Sequence, residues 1–204
     1  MITYKLPIGI RIPDFEEYPS GYDANEINKK RDSAFIIEGY KLAEVQGEKF
    51  THLAEINIDA DKIWNLFVSL LDSLISDTAY GIIGFKDEEP IMSNFTQKQR
   101  ILDIFQTYKF ELANDGYLQF GIAYYDESTL NEIYISSFKY FQIWTTKKKE
   151  LVETLDKFRL SEQENLNFVD EFPVVSEALS ADKISGVHHH SEVIREIEKE
   201  FAAL

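Results

Sequence analysis

Three consecutive histidines, His188 to His190, are the residues best suited by type to chemistry, because the chain has only four histidines. On an extended segment alternate side chains point to the same side, so His188 and His190 could bind one zinc or other divalent ion together. A protein zinc site needs three or four ligands, and no third ligand stands at a recognised spacing. A solvated turn before a helix explains the same residues, and both interpretations stay open.

No other residues form a recognised catalytic motif. Four adjacent acid pairs lie in segments that read as loops, where acids commonly serve solubility, and their adjacency says nothing about a catalytic pair. GIIGF at 81–85 has two glycines but lacks the dinucleotide-binding and P-loop patterns. The absence of cysteine excludes thiolate nucleophiles and cysteine-ligated metal centres. We therefore expect no cofactor and no enzymatic activity.

The charge of the chain restricts its partners. Its formal net charge is −15, from 36 acidic and 21 basic residues. A polyanion repels phosphate backbones and anionic head groups, so we expect no nucleic-acid and no membrane binding. No apolar stretch approaches the ~20 residues that span a bilayer, and the N-terminus does not resemble a signal peptide. We predict a cytoplasmic protein with a basic protein partner, although solubility alone also explains such acidity.

Carboxylates stand beside tyrosines in two predicted loops, PDFEEYPSGYDANE (13–26) and YYDESTLNE (124–132). Long-range attraction speeds the encounter with a basic protein, and aromatic rings supply binding energy once they are buried. We predict that these side chains mimic phosphates and fill a positively charged groove. The candidate partner-binding residues are Asp14, Glu16, Glu17, Tyr18, Tyr22 and Asp23 in the first loop, and Tyr124, Tyr125, Asp126 and Glu127 in the second.

These features predict an acidic protein-binding module that neutralises or escorts a basic partner. Its most concrete form is an inhibitor of the immunity-protein kind, which occupies the cleft of a nuclease-like bacterial toxin. Charge and size support this hypothesis, and no motif does. One alternative is a small metal-assisted enzyme or ligand-binding domain that uses His188 and His190. A second is a structural or accessory subunit whose acidic surface has no specific partner.

The elements that position these residues follow from hydrophobic periodicity. Strands are predicted at 1–12, 34–43, 49–58, 78–85, 117–125 and 132–144, and helices at 60–76, 96–109, 145–160 and 191–203. Asp59 and Thr96 are placed to cap the first two helices. Residues 13–32 read as a loop, and the acidic residues 161–182 as an extended segment that leads to the last helix.

About six strands in hairpins and about four helices predict an α+β fold, in which a mostly antiparallel sheet carries its helices mainly on one face. Residues 1–160 are predicted to form a single globular domain, on which the acidic segment and C-terminal helix of 161–204 pack. On the strand at 132–144, Tyr134, Phe138, Tyr140 and Trp144 share a face. Such a row of rings most often receives a helix, although it also suits a sugar, a base or a partner loop.

Overall fold

The structure, a computed structural model, describes residues 2–47 and 49–204. This part of the chain contains ten strands, six α-helices and three short 3-10 turns. The strands are β1 (Ile10–Arg11), β2 (Gly39–Glu44), β3 (His52–Asn57), β4 (Thr78–Phe85), β5 (Ile91–Met92), β6 (Thr96–Gln97), β7 (Leu118–Tyr125), β8 (Leu130–Ile135), β9 (Phe141–Thr145) and β10 (Val175–Ser176). The helices are α1 (Ala24–Ser33), α2 (Ile63–Leu74), α3 (Lys98–Thr107), α4 (Lys109–Asn114), α5 (Lys148–Lys157) and α6 (His190–Ala202).

Eight strands form one antiparallel sheet in the order β2-β3-β9-β8-β7-β4-β5, and β6 pairs with β4 on the same edge as β5. β1 and β10 form a separate two-stranded sheet. The predicted α+β class with a mostly antiparallel sheet is confirmed. The predicted counts of six strands and four helices are too low for the described residues, because the shortest strands and the most polar helix leave no clear periodicity.

Alternation along the strands separates the sheet into two faces, and the main hydrophobic core lies on one of them. Ile83, Phe120 and Ile133 belong to this core together with side chains of α2, α3, α5 and α6. The ring of Phe67 on α2 lies 5.1 Å from that of Phe120 and 6.3 Å from that of Phe105 on α3. The helices therefore cover the face that carries the fully buried residues.

Gly81 allows α3 and α6 to approach β4 closely. A Cβ atom at this position would lie 2.6 Å from the ring of Phe201 on α6 and 2.8 Å from the side chain of Ile101 on α3. Real Cβ atoms do not make such short contacts, so a larger residue would displace one of the two helices. The glycine is thus required by packing.

The single strand predicted at 132–144 is wrong, because a tight turn divides it into β8 and β9. The N–H of Ser136 donates to the carbonyl of Tyr140, and Lys139 adopts a left-handed backbone with a φ of 66°. Ile135 then faces Phe141 across the hairpin. The SSFKY residues at the turn lack the Gly or Asn that usually marks such a conformation, so the sequence does not indicate the break.

The N-terminal prediction is also wrong in its extent. Met1 of the predicted strand at 1–12 lies outside the described residues, and within 2–12 only Ile10–Arg11 forms a strand, paired with Val175–Ser176. The earlier residues make single backbone hydrogen bonds to separate segments, such as those from Thr3 to Ile36 and from Ala60 to Lys5. A strand needs one continuous neighbour, and these residues meet several. The predicted loop at 13–32 contains α1, a polar helix without an apolar stripe.

The predicted helices are present with adjusted ends. Asp59 accepts a hydrogen bond from the N–H of Asp61 and begins a 3-10 turn that continues into α2. The second helix begins at Lys98, because Thr96 pairs with β4 instead of acting as a cap. Tyr108 interrupts it with a non-helical backbone, and α4 follows. α5 and α6 match the last two predicted helices to within three residues at each end.

The acidic segment after α5 is extended and attached to the sheet. The N–H of Gln163 donates to the carbonyl of Tyr40, and that of Asn167 donates to Phe35. The side chain of Asn57 donates to the carbonyl of Asn167 at 2.8 Å. These bonds add residues 161–167 beside the outer end of β2, where they pair with strand groups that would otherwise be open to solvent.

A buried polar junction holds the start of β7. The carboxylate of Asp115 accepts hydrogen bonds from the N–H groups of Tyr117 and Leu179. The ammonium group of Lys139, also buried, donates to the carbonyl of Leu118. Burial lowers the pKa of Lys139 to about 7, and the charge of Asp115 offsets only part of that effect. The charged form of Lys139 is therefore disfavoured, and the residue titrates near neutral pH.

We expect the free energy of unfolding to rise as the pH increases from 7 to 9, through Lys139. The pKa of this residue is about 7 in the folded protein against an ordinary value of 10.5. The unfolded chain consequently binds more protons than the folded one across this range, and stability increases with pH. Urea denaturation of the wild type and Lys139→Met at pH 7, 8 and 9 measures the effect. The variant should show the flatter profile, and identical profiles would contradict the lowered pKa.

Candidate functional site

The sheet face opposite the helices, which we call the open face, carries aromatic rings and carboxylates. It is built from alternate residues of the strands, on the side away from the main core. Residues 166–170 cover one end of it, where Phe168 and Asp170 contact Tyr140. The side chains that reach solvent on this face are Lys41, Ala43, Leu53, Glu55, Tyr80, Met92, Gln119, Tyr125, Glu132, Tyr134, Gln142 and Trp144.

Three rings form an exposed cluster at the β4 edge of the open face. Tyr80 stacks on Tyr125 with ring centroids 4.8 Å apart and planes 14° apart, and Phe95 lies 5.0 Å from Tyr80. Phe95 is 47% exposed and Tyr125 is 42% exposed. Met92, paired with Ile82 on the neighbouring strand, is 45% exposed. Large apolar side chains that are exposed side by side are characteristic of a surface that binds another molecule.

Glu132 lies in the middle of the open face. In the sheet register it pairs with Ala123 on one side and Trp144 on the other, and Tyr134 follows it on the same face of β8. Burial by these neighbours raises the pKa of the Glu132 carboxyl. Burial, and secondly the charge of Glu132, raises the pKa of Tyr134 to about 12. Among the described residues we find no hydrogen-bond donor to the Glu132 carboxylate.

A shallow groove of about 340 Å³ continues the open face toward β2. Leu53 and Glu55 of β3 and Lys41 of β2 line one side, and Glu162 and Glu164 of the extended segment line the other. The Lys41 ammonium lies 5.5 Å from the centre of the Phe168 ring. The groove thus adds carboxylates to the open face, while its one lysine already has an aromatic partner.

In the first predicted loop, Glu17 is bound within the chain. The guanidinium of Arg11 contacts both oxygens of Glu17, at 2.6 and 2.7 Å, and also contacts Glu177 at 2.9 Å. The hydrogen bonds from Arg11 and from the N–H of Asp14 lower the pKa of Glu17 to about 2. Glu17 therefore remains ionised and paired, and its charge is partly neutralised before any partner arrives.

Asp23 and Tyr18 in the same loop also have internal partners. Asp23 caps α1 by accepting hydrogen bonds from the N–H groups of Asn25 and Glu26, both at 3.0 Å. The Tyr18 hydroxyl donates to the side chain of Asn28 at 2.7 Å. The other three predicted residues of this loop, Asp14, Glu16 and Tyr22, are exposed.

The second predicted loop is a tight turn organised by Asp126. The Asp126 carboxylate accepts hydrogen bonds from the N–H groups of Ser128 and Thr129, both at 2.8 Å, and from the hydroxyl of Tyr124 at 3.0 Å. The bond from Ser128 is the largest cause of its lowered pKa. Tyr125 and Glu127 remain exposed, and Tyr125 belongs to the ring cluster. This turn therefore adjoins the open face.

The two predicted loops lie at opposite ends of β7. Arg11, which holds Glu17, also contacts Glu177, and the backbone of Glu177 bonds Gly116, two residues before β7 begins. Tyr125 is the last residue of the same eight-residue strand. At a rise of about 3.3 Å per residue the two ends are about 23 Å apart. The two loops therefore do not form one compact surface.

The histidines have separate surroundings. The backbone N–H of His188 donates to Oε1 of the buried Glu111, and its Nδ1 lies 2.8 Å from the same oxygen. The ring of His190 packs 5.1 Å from Phe85 and 5.2 Å from Tyr117, and burial lowers the pKa of its imidazole. Within residues 2–47 and 49–204, no group of three or more His, Cys, Asp or Glu side chains is placed to hold a metal ion. The described residues thus provide no third ligand for a site at His188 and His190.

Comparisons with known proteins return no match: no family model, no curated protein and no solved structure resembles this chain. In the described part of the chain, no helix combines the length and apolarity needed to cross a bilayer. The properties of the open face are therefore the only guide to its use.

Sequence reasoning grouped Tyr134 with Trp144 but predicted that their face receives a helix. The opposite face, with Ile133 and Ile143, packs against the helices, so that prediction is wrong. Sequence reasoning also did not single out Glu132. Its position two residues before Tyr134 places it on the same face of the strand, and that spacing was the available signal. Tyr80 and Phe95 could not be associated with this face, because their contact depends on strand order.

Replacing Asp23 should destabilise the protein, whereas replacing Glu16 should not. Asp23→Ala removes the cap of α1 and should cost about 1 kcal/mol of unfolding free energy. Glu16→Ala changes the net charge equally, but at an exposed position in the same loop, and should stay within about 0.5 kcal/mol of the wild type. Urea denaturation measures both, and equal losses would show that the distinction between the two acids is wrong.

Trp144 should report the titration of Glu132. The chain has two tryptophans, so Trp64→Phe leaves Trp144 as the only indole fluorophore. Because burial raises the Glu132 pKa above its ordinary value of 4.5, Trp144 emission should change with a midpoint above that value. Adding Glu132→Gln should remove the transition. A midpoint at or below 4.5, or a transition that survives in the Gln variant, would contradict the assignment.

Proposed function

We propose that the protein is an acidic protein-binding module whose open face docks a basic partner. The observation that carries the proposal is the combination of exposed rings with a shielded carboxylate on the sheet face opposite the helices. The rings are those of Tyr80, Phe95 and Tyr125, and the carboxylate is that of Glu132. Aromatic residues around a desolvated polar group are typical of the centre of a protein interface.

Charge supports a basic partner. The charged strand positions on the open face are Lys41, Glu55 and Glu132, and the adjoining groove adds Glu162 and Glu164. Carboxylates therefore outnumber cations where a partner would bind, in agreement with the net charge of −15. Such complementarity speeds association and suppresses binding of acidic proteins.

The rings alone would not hold a partner tightly. Met92, Phe95 and Tyr125 each leave nearly half of their surface exposed, which amounts to about 250 Å² together. Burying it would contribute roughly 6 kcal/mol, whereas association costs an estimated ~4–15 kcal/mol. Paired charges and further contacts must supply the difference, so we expect binding to depend strongly on the carboxylates.

More specifically, we propose that the protein is an immunity-type inhibitor that occupies the positively charged cleft of a nuclease-like bacterial toxin. The cleft of a nuclease presents Arg and Lys side chains to phosphates, and the open face with its adjoining turn presents carboxylates and rings. The exposed Tyr125 and Glu127 at this turn would enter the cleft. Asp14, Glu16 and Tyr22 lie at the far end of β7 and would contact a separate part of the partner.

The proposal is tested with catalytically inactive nuclease domains of bacterial toxins and with equally basic proteins that are not nucleases. We expect one nuclease domain to bind more tightly than the controls, with an affinity that falls as salt rises from 50 to 500 mM, because screening weakens the attraction. Phe95→Ala with Tyr125→Ala should weaken binding by at least about tenfold. Calorimetry or surface plasmon resonance measures the affinities.

Phe110→Ala is the matched control, because Phe110 is a similarly exposed ring, 41% accessible, on α4. It should leave the affinity unchanged. An affinity that does not respond to salt would overturn the electrostatic basis of the proposal. Equal binding of nucleases and basic controls would overturn its inhibitor form, and equal effects of the open-face and Phe110 variants would place the interface elsewhere.

A further inference from the structure

We propose that Glu132 is the receptor for an arginine side chain of the partner, bound between Trp144 and Tyr80. This inference rests on the proposed function, since it names the chemical group of the partner that the open face recognises. It follows from the register of the central strands, from the absence of an internal donor, and from the types of residue that surround the carboxylate.

Five residues form one row across the strands of the open face. Leu53 pairs with Trp144, Trp144 with Glu132, Glu132 with Ala123, and Ala123 with Tyr80. Neighbouring strands lie about 4.8 Å apart, so Trp144 and Tyr80 stand on strands about 14 Å apart. Between these two large side chains, the row holds only a carboxylate and a methyl group. We call this row the trough: Trp144 and Tyr80 are its aromatic walls, and Glu132 and Ala123 lie between them.

The Tyr80 wall of the trough is held in place by contacts with other rings. Tyr80 is stacked on Tyr125 and contacts Phe95. Tyr134 lies beside Glu132 on the same face of β8. Its ring lies 3.1 Å from the position that a Cβ atom on Gly121 would take. Tyr134 thus lies against the sheet beside Glu132, in the space that the glycine leaves. A ligand in the trough would meet preformed ring surfaces, which lowers the entropic cost of binding.

Within residues 2–47 and 49–204, no cation forms an ion pair or a hydrogen bond with Glu132. Among the described strand positions of the open face, Lys41 is the one cation, and it pairs across the sheet with Glu55 and lies over Phe168. A shielded carboxylate without a donor is unfavourable in the free protein, and a cationic donor from outside would relieve that cost. The site therefore favours a ligand that carries both positive charge and N–H groups.

Arginine fits this trough better than lysine does. Its planar guanidinium stacks on aromatic rings while its N–H groups bind a carboxylate in a two-pronged geometry. It is also less strongly hydrated than an ammonium group, so it loses less on entering a partly apolar site. Trp144 and Tyr134 would offer ring faces, and Glu132 would offer both oxygens.

The test uses three blocked heptapeptides of the form Gly-Ser-Gly-X-Gly-Ser-Gly, with Arg, Lys or citrulline at X. Binding is followed through the fluorescence of Trp144 in the Trp64→Phe protein at pH 7 and low salt. The Arg peptide should saturate the signal and bind at least about fivefold more tightly than the Lys peptide. Only a guanidinium can both stack on aromatic rings and bind a carboxylate through two hydrogen bonds. The citrulline peptide, which is planar but uncharged, should bind weakest.

Glu132→Gln should weaken binding of the Arg peptide by about tenfold or more. Glu16→Gln makes the same change in net charge and should leave the affinity within about twofold of the parent. The Gln variant removes a charge from a place where burial disfavours it, so it should unfold at the same temperature as the parent or higher. Equal weakening by both variants would show that the overall field attracts the peptide, and would overturn the role of Glu132. Equal affinities for Arg and Lys would overturn the choice of arginine.

These failures are distinct from failure of the proposed function. If the nuclease domain binds with salt dependence and the Phe95 and Tyr125 variant weakens it, but Glu132→Gln affects neither ligand, only the arginine receptor is overturned. If no basic domain binds and no peptide binds, both proposals fail.

Discussion

Phe67 on α2 contacts Phe120 in the sheet, and Phe105 on α3 contacts both. This group joins the two helices to a central strand, and all three rings are fully buried. Each buried ring stabilises the fold by roughly 2–3 kcal/mol relative to exposure. Because Phe120 points to one side of β7, the contact determines which sheet face becomes the core and which stays open.

The open face is a consequence of that one-sided packing. Its strands alternate between fully buried aliphatic residues and larger amphipathic ones such as Tyr134 and Trp144, which tolerate partial exposure. Glu132 is placed among them at an energetic cost, since burial disfavours its charge. A buried charge whose free-energy cost is not required by the fold is often associated with binding or catalysis. The other members of its row, Leu53, Trp144, Ala123 and Tyr80, include no second carboxylate and no histidine, which favours binding over catalysis.

The end of the sheet where β7 begins has a different role. Asp115 and Lys139 bind backbone groups there, and Glu111 holds the start of α6 through His188. Arg11 with Glu17 and Glu177 attaches the first loop to the same end. Most of the polar residues in this region have partners inside the protein, so they maintain the structure. On the open face, by contrast, Glu55 and Glu132 accept no hydrogen bond and form no ion pair within the described residues, so they remain available to another molecule.

Local patterns in the sequence were sufficient for several elements. TAYGIIGF predicts β4 with its bounds, and Asp59 with the apolar positions that follow predicts the start and inward face of α2. The α+β class followed from the same elements. Features without a local signal were missed: α1 has no apolar stripe, and the turn at Lys139 has no glycine or asparagine.

The sequence by itself determined which residues share a face, because side-chain direction along a strand has a period of two. It also determined the excess of negative charge and the presence of rings beside acids. Only the tertiary structure decided that helices cover the face of Ile133 and not that of Tyr134, and that Glu132 lies between Trp144 and Ala123. It likewise decided that Glu17, Asp23 and Asp126 are occupied internally. These outcomes depend on strand order and on contacts between distant segments, which no local periodicity encodes.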